Sequence, residues 1–115
     1  MKIQTEHGFI DVSGDVVAGI VSVCANNCFG VCGMAHRSKT DGLVKLLKGD
    51  SYKKGVDIEL FEDRVDIDLH IVVKHGVNIA AVGESIISEI RYNVERLAGI
   101  KVGTVDIFVD SIMID

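Results

Sequence analysis

Apolar and polar residues alternate most regularly between Val56 and Val73. Val56, Ile58 and Leu60 are separated by Asp57 and Glu59, and Val65, Ile67, Leu69 and Ile71 by Asp66, Asp68 and His70. A period of two puts the two sets of side chains on opposite faces of a strand, so this region reads as two strands joined through Glu62 and Asp63 in an antiparallel hairpin. A last strand repeats the pattern, with Val105, Ile107 and Val109 alternating with Asp106, Phe108 and Asp110. Shorter runs at Phe9 to Val12 and at Val31 to Ala35 read as further strands, the second with Gly33 allowing close backbone approach.

The period becomes helical in two places. After Ser13, a good N-cap with Asp15 in the following turn, Val16, Ile20, Val23, Cys24 and Asn27 recur at steps of three and four until Gly30 stops the run. The spacing predicts a helix packed along that stripe, with Cys24 and Cys28 buried on its apolar side. From Asn78, a second N-cap, Ile79, Val82, Ile86, Ile90, Val94 and Leu97 form one stripe while Glu84, Ser88, Arg91 and Glu95 fall away from it, and Gly99 ends the helix. Between these helices, Asp41 precedes a segment ending at Gly49 in which Leu43, Leu46 and Leu47 share one side of a short amphipathic helix. The order β-α-β-(short α)-β-β-α-β is an α+β fold. It implies a two-layer sandwich whose mixed or antiparallel sheet carries both long helices on one face.

A chain of 115 residues with 48% hydrophobic content supports one folded domain, spanning 1–115. Only 5% of residues are aromatic, so Val and Ile must supply most of the core. The net charge of −5 has the wrong sign for a general nucleic-acid binder, which must neutralise phosphates. The charge is unevenly spread. Arg37, Lys39, Lys45, Lys48, Lys53 and Lys54 face only Asp41 and Asp50, leaving a segment of net +4 in a remainder of −9. That segment is a candidate contact for an anionic membrane surface or nucleic acid, or else a solvated loop whose leucines pack on the domain. Conversely, Asp57, Glu59, Asp66, Asp68, His70, Asp106 and Asp110 fall on one sheet face, which reads as a solvated face ahead of a Ca²⁺ or basic-partner site.

The 20 residues from Val16 to Ala35 carry no formal charge, enough to span a bilayer as a helix. Asn26, Asn27 and three glycines argue instead for a soluble helix followed by a strand. Charges at Lys2, Glu6 and Asp11 exclude a secretory leader at the N-terminus, so the chain is expected in the cytoplasm. There the odd set Cys24, Cys28 and Cys32 reads as reduced thiols. Together with His36 they are spaced by four, but glycines interrupt the helix that would align them, and no second ligand pair exists. Buried structural cysteines are expected, without a metal. No nucleophile, acid-base pair or phosphate loop is evident, so no enzyme activity, cofactor or small-molecule substrate is expected.

Four landmarks carry a resemblance over nearly the whole chain: Gly-Phe-Ile-Asp-Val-Ser-Gly-Asp-Val-Val-Ala-Gly-Ile (8–20), Cys-Phe-Gly-Val-Cys-Gly-Met (28–34), Lys-His-Gly-Val-Asn-Ile (74–79) and Val-Glu-Arg-Leu-Ala-Gly-Ile-Lys-Val (94–102). In this order they resemble the alkaline-shock-protein family of Gram-positive bacteria, its YloU-like members in particular. The resemblance implies a small protein without known catalysis, linked to envelope stress and cell-envelope homeostasis, able to self-associate and in some members held at the membrane by an anchor protein. The leading expectation is therefore a homo-oligomeric scaffold at the inner face of the cell membrane, contacting an anchor protein or the anionic surface. Phe108, on the outward face of the last strand, is its candidate self-association residue. A KH-like RNA-binding module is the first rival and would need a GxxG loop between two helices, which the sequence lacks. A thiol or metal site at Cys24, Cys28 and Cys32 is the second.

Overall fold

A computed structural model of the protein describes residues 1–37, 44–46 and 55–114. Its axis is the strand with the strongest alternation, Val65–Lys74, here β6 in the order β1 (Lys2–Thr5), β2 (Gly8–Asp11), α1 (Gly14–Asn26), β3 (Val31–Arg37), β4 (Val44–Leu46), β5 (Val56–Leu60), β6, α2 (Ile79–Ala98) and β7 (Val102–Met113). Both edges of β6 are paired. β7 runs parallel along one edge, from Val65↔Val102 to Lys74↔Met113, and α2 is the crossover that a parallel pair requires. On the other edge β5 takes the first half, from Leu60↔Val65 to Val56↔Leu69, and β3 the second, from Met34↔Ile71 to Val31↔Val73. β4 adds to β3 through Ala35↔Leu46 and Arg37↔Val44. The five-stranded sheet is thus mixed, and the fold is α+β as the periodicity requires.

Val65, Ile67, Leu69, Ile71 and Val73 project from one face of β6 and meet Val82, Ile86, Ile90 and Val94 of α2 and Val17, Val21 and Ala25 of α1. Both helices therefore lie on that face. Asn78 caps α2, its Oδ1 accepting from Ala81 N at 3.1 Å, and Gly99 closes it in the left-handed region at φ 70°. Arg91 then ties the helix to the next strand, donating to the carbonyls of Val102 at 2.7 Å and Gly103 at 3.1 Å. Ser13 occupies the N-cap of α1, but its side chain makes no capping bond.

Several expectations are corrected. The short helix placed after Asp41 is contradicted by β4, whose residues Val44–Leu46 are extended. A one- or two-turn helix is marginal alone, whereas the open edge of β3 supplies backbone partners along one side of a strand. The N-terminal strand is half of a hairpin, because Lys2–Thr5 pairs with Gly8–Asp11 in a separate two-stranded sheet. Its base is closed by reciprocal 2.8 Å bonds between Met1 and Val12. β7 extends beyond both ends of the run Val105 to Asp110, and in α2 the end residues Ile79 and Leu97 are exposed while the stripe between them is buried. Of the basic residues, Arg37 lies on β3 and Lys45 on β4. Lys39, Lys48, Lys53 and Lys54 lie outside the described residues.

The largest correction concerns α1. Its core-facing side is Val17, Ala18, Val21 and Ala25, whereas the stripe that the spacing singled out points away from the sheet, with Val16 52% and Val23 61% exposed. The buried Ser22 satisfies its hydroxyl by donating to Ala18 O at 2.9 Å.

Candidate functional site

Residues 16, 20, 23 and 27 of a helix fall within a narrow arc, and 17, 21 and 25 within another about 130° further round. In α1 both arcs are apolar except for Asn27, so the sheet buries one while the other remains at the surface. Beside the surface arc runs one row of α2, Ser85, Glu89, Asn93 and Leu97, four residues apart. The helices are antiparallel, since Cys28 lies near Ser85 and Glu89 while Cys24 lies near Glu89 and Asn93. Between them is a groove of about 840 Å³, with Val16, Ile20 and Val23 on the α1 wall, the polar row of α2 opposite, and Phe29 at one end. Gly19 adds no side chain to fill it. Phe29, 86% exposed, is the least covered large apolar residue among those described.

Cys24 and Cys28 sit in this groove half-buried, packed against the core cluster, where full burial on the apolar side of the helix is expected from the spacing. Cys28 Sγ donates to Cys24 O at 3.2 Å. Desolvation raises both thiol pKa values above the ordinary range, and the negative charge of Glu89 raises them further; bonds from Asn93 to Cys24 and from Ser85 to Cys28 act in the opposite direction. Both are therefore thiols at neutral pH, the form with least nucleophilicity and metal affinity. Alkylation of Cys24 and Cys28 in the native protein is expected to need a more alkaline pH than in the unfolded chain, and Glu89→Gln should shift the native profile back toward neutrality. Mass-resolved iodoacetamide labelling against pH tests this; an unchanged profile in Glu89→Gln would remove the carboxylate from the account. Among the described residues no three His, Cys, Asp or Glu side chains are arranged to hold a metal ion.

The opposite face of the sheet carries the acidic positions. Asp57, Asp68 and Asp106 lie in one row across β5, β6 and β7, with Glu59 beside Asp66. Asp66 is engaged locally, accepting from Thr104 N at 3.1 Å and standing 3.5 Å from Arg64 Nε. His70 stacks on Phe108 with centroids 4.8 Å apart, and its Nδ1 lies 2.9 Å from Asp110 Oδ2. Phe108 is thus outward-facing and 44% exposed, with the imidazole stacked on its ring. The structure joins His70, Phe108 and Asp110, a contact that depends on parallel register and on an extra residue in β7 between Val109 and Ser111. Neither is visible in the sequence.

The carboxyl of Asp68 is held above the ordinary range, first by desolvation and then by Asp106 and Asp57, with His70 opposing. A carboxylate with a raised folded-state pKa binds protons more tightly when folded, so its cost is present at neutral pH and disappears as pH falls through that pKa. Asp68→Asn should accordingly raise the urea midpoint at pH 7. The gain should shrink toward pH 4 and in high salt, which screens the row. A gain independent of both would assign the effect to something other than charge.

The sequence profile of the alkaline shock protein 23 family, described by a cell envelope-related function, matches residues 2–114. Among individual proteins, the chain is 33% identical over 115 residues to the uncharacterized protein Spy1614 of Streptococcus pyogenes serotype M6, covering 99% of this chain and 95% of the relative. It is 29% identical over 115 residues to the uncharacterized protein YloU of Bacillus subtilis, covering 99% and 96%. The uncharacterized protein YqhY of the same bacterium is 27% identical over 112 residues, covering 97% and 82%. No solved structure matches the chain. No helix among the described residues is long and apolar enough to cross a membrane, and the length of α1, 13 residues, shows why its uncharged run is not a span. With the profile covering the chain almost end to end, this protein belongs to the alkaline shock protein 23 family, whose function is related to the cell envelope.

Proposed function

We propose that the protein is a non-enzymatic interaction module of the envelope-stress type, which works near the membrane as a self-associating scaffold. The observation that carries this reading is the outward apolar face of α1. Exposed contiguous apolar surface of this kind marks sites where macromolecules meet, and the titratable groups beside it, two protonated thiols and the carboxylates of Asp15 and Glu89, offer no activated nucleophile. The basic residues Arg37, Lys39, Lys45, Lys48, Lys53 and Lys54 suit the same role, each contributing about 1 kcal/mol when close to an anionic bilayer surface. Such a contribution gives weak, salt-sensitive attachment and favours a second contact, such as an anchor protein or avidity within an oligomer.

Self-association has a second support in β7. Among the described residues it pairs only with β6, leaving its other edge open beside the half-exposed Phe108. Sedimentation velocity over a range of concentration is expected to show a reversible oligomer. Phe108→Glu, which adds a third carboxylate beside Asp106 and Asp110, should shift it toward monomer. A single monomeric species at every concentration, unchanged in Phe108→Glu, would refute the scaffold.

A further inference from the structure

We infer that the groove between α1 and α2 is the docking site for an amphipathic helix of a partner protein, with lysine or arginine along the borders of its apolar face. This rests on the reading of the chain as an interaction module and specifies what that module receives. Shape is the first argument. The groove is the valley between two antiparallel helices, and α1, 13 residues or about 20 Å long, sets its length at three to four turns. A third helix fits such a valley by laying apolar residues at i, i+3, i+4 and i+7 against the exposed Val16 and Val23 and the half-buried Ile20.

Charge is the second. Among the described residues the charged side chains lining the groove are Asp15 and Glu89, both acidic, and Glu89 is the one that a cationic edge would meet. Of the arginines of α2, Arg91 is committed to the carbonyls of β7, while Arg96 lies at the Asn93 end of the polar row, donating to Asn93 and standing over the ring of Tyr92. An occupant that is apolar at its centre and cationic at its edges answers both features. The described helices of a second copy offer no such cationic edge, since α1 carries only Asp15 and α2 carries Glu84, Glu89 and Glu95 against Arg91 and Arg96. An anionic bilayer would likewise meet the acidic border first.

Two synthetic helical peptides of about 14 residues, one of leucine and lysine and one with glutamate replacing every lysine, provide the test by fluorescence anisotropy against the full chain. The lysine peptide is expected to bind at least tenfold more tightly. Val23→Gln, which removes apolar surface without changing charge, should weaken it by about tenfold. Glu89→Lys should move the preference toward the glutamate peptide, while Asp57→Lys, with the same change in net charge on the far face of the sheet, should leave the preference in place. Equal effects of Glu89→Lys and Asp57→Lys would show attraction to net charge only and overturn the site, as would no binding of either peptide. Loss of the oligomer in Val23→Gln, or loss of co-sedimentation with phosphatidylglycerol vesicles, would overturn it in favour of a second copy or a membrane. The scaffold reading is judged separately by sedimentation of Phe108→Glu, so a failed peptide experiment with an intact Phe108-dependent oligomer removes the helix site alone.

Discussion

Gly30→Ala is expected to lower the unfolding free energy by about 2 to 4 kcal/mol, without altering the slope of the urea transition. Gly30 sits where the chain leaves α1 for β3, and its carbonyl accepts from Lys74 N at 2.8 Å, which fixes the end of β3 against β6. Two costs arise together. The backbone there has φ +89°, a conformation strained for any residue with a Cβ. A Cβ would also stand 3.1 Å from Val77 Cγ1 and 3.1 Å from Val82 Cγ2, tighter than ordinary contact, and Val82 belongs to the buried stripe of α2, so it cannot yield without disturbing its neighbours. Gly76 separates the two costs. It has φ +92° but open space where its Cβ would go. Gly76→Ala should therefore show only the conformational part, about 1 to 2 kcal/mol. Equal losses at the two positions would mean that the contact with Val77 and Val82 adds nothing.

The parts of the fold that could be read from the sequence are those in which one face is buried and the other wet. In β5, β6 and α2 the solvent side is marked by Asp, Glu, Arg and Ser, so the period and the orientation of each element come from the same residues. The acidic sheet face was legible for that reason. Its register was not: alternation says that Asp57, Asp68 and Asp106 share a face, but only strand pairing sets them in one row and brings His70 onto Phe108 and Asp110. β4 is too short for any period to declare itself, and Lys2–Thr5 contains a single apolar residue, Ile3, whose partner Ile10 is visible only once the hairpin closes.

The groove is hidden in the sequence because its residues look like a core. From Val16 to Asn26 nothing in α1 is charged, so the spacing of Val16, Ile20 and Val23 fits a buried stripe as well as that of Val17, Val21 and Ala25 does. Hydrophobic periodicity locates a helix but cannot orient one that is apolar on both sides. One available signal was the uncharged run itself, since such a helix on a small domain leaves part of its surface without a natural solvent face. The other was its partner, α2, whose polar row Ser85, Glu89 and Asn93 shows that the valley it borders is open to water rather than sealed.

A matched pair of substitutions two residues apart distinguishes the two sides of α1. Val21→Asp is expected to cost more than about 4 kcal/mol, because Val21 is 0% exposed in the centre of the core cluster and a carboxylate there has neither water nor a cation to meet it. Little folded protein should remain at neutral pH, and partial recovery is expected on acidification, where the carboxyl is neutralised. Val23→Asp places the same group in the groove, at a position 61% exposed. Its effect on stability should stay within about 1 kcal/mol, a modest loss of helix propensity and of exposed packing. Circular dichroism under urea titration measures both. Similar destabilisation at the two sites would mean that the outer arc of α1 is covered within the single chain, and the groove would then be part of the core rather than a surface for docking. Intact folding of Val23→Asp beside the collapse of Val21→Asp would establish that this chain tolerates charge on the apolar arc it exposes, and that the arc's hydrophobic character is not required by folding.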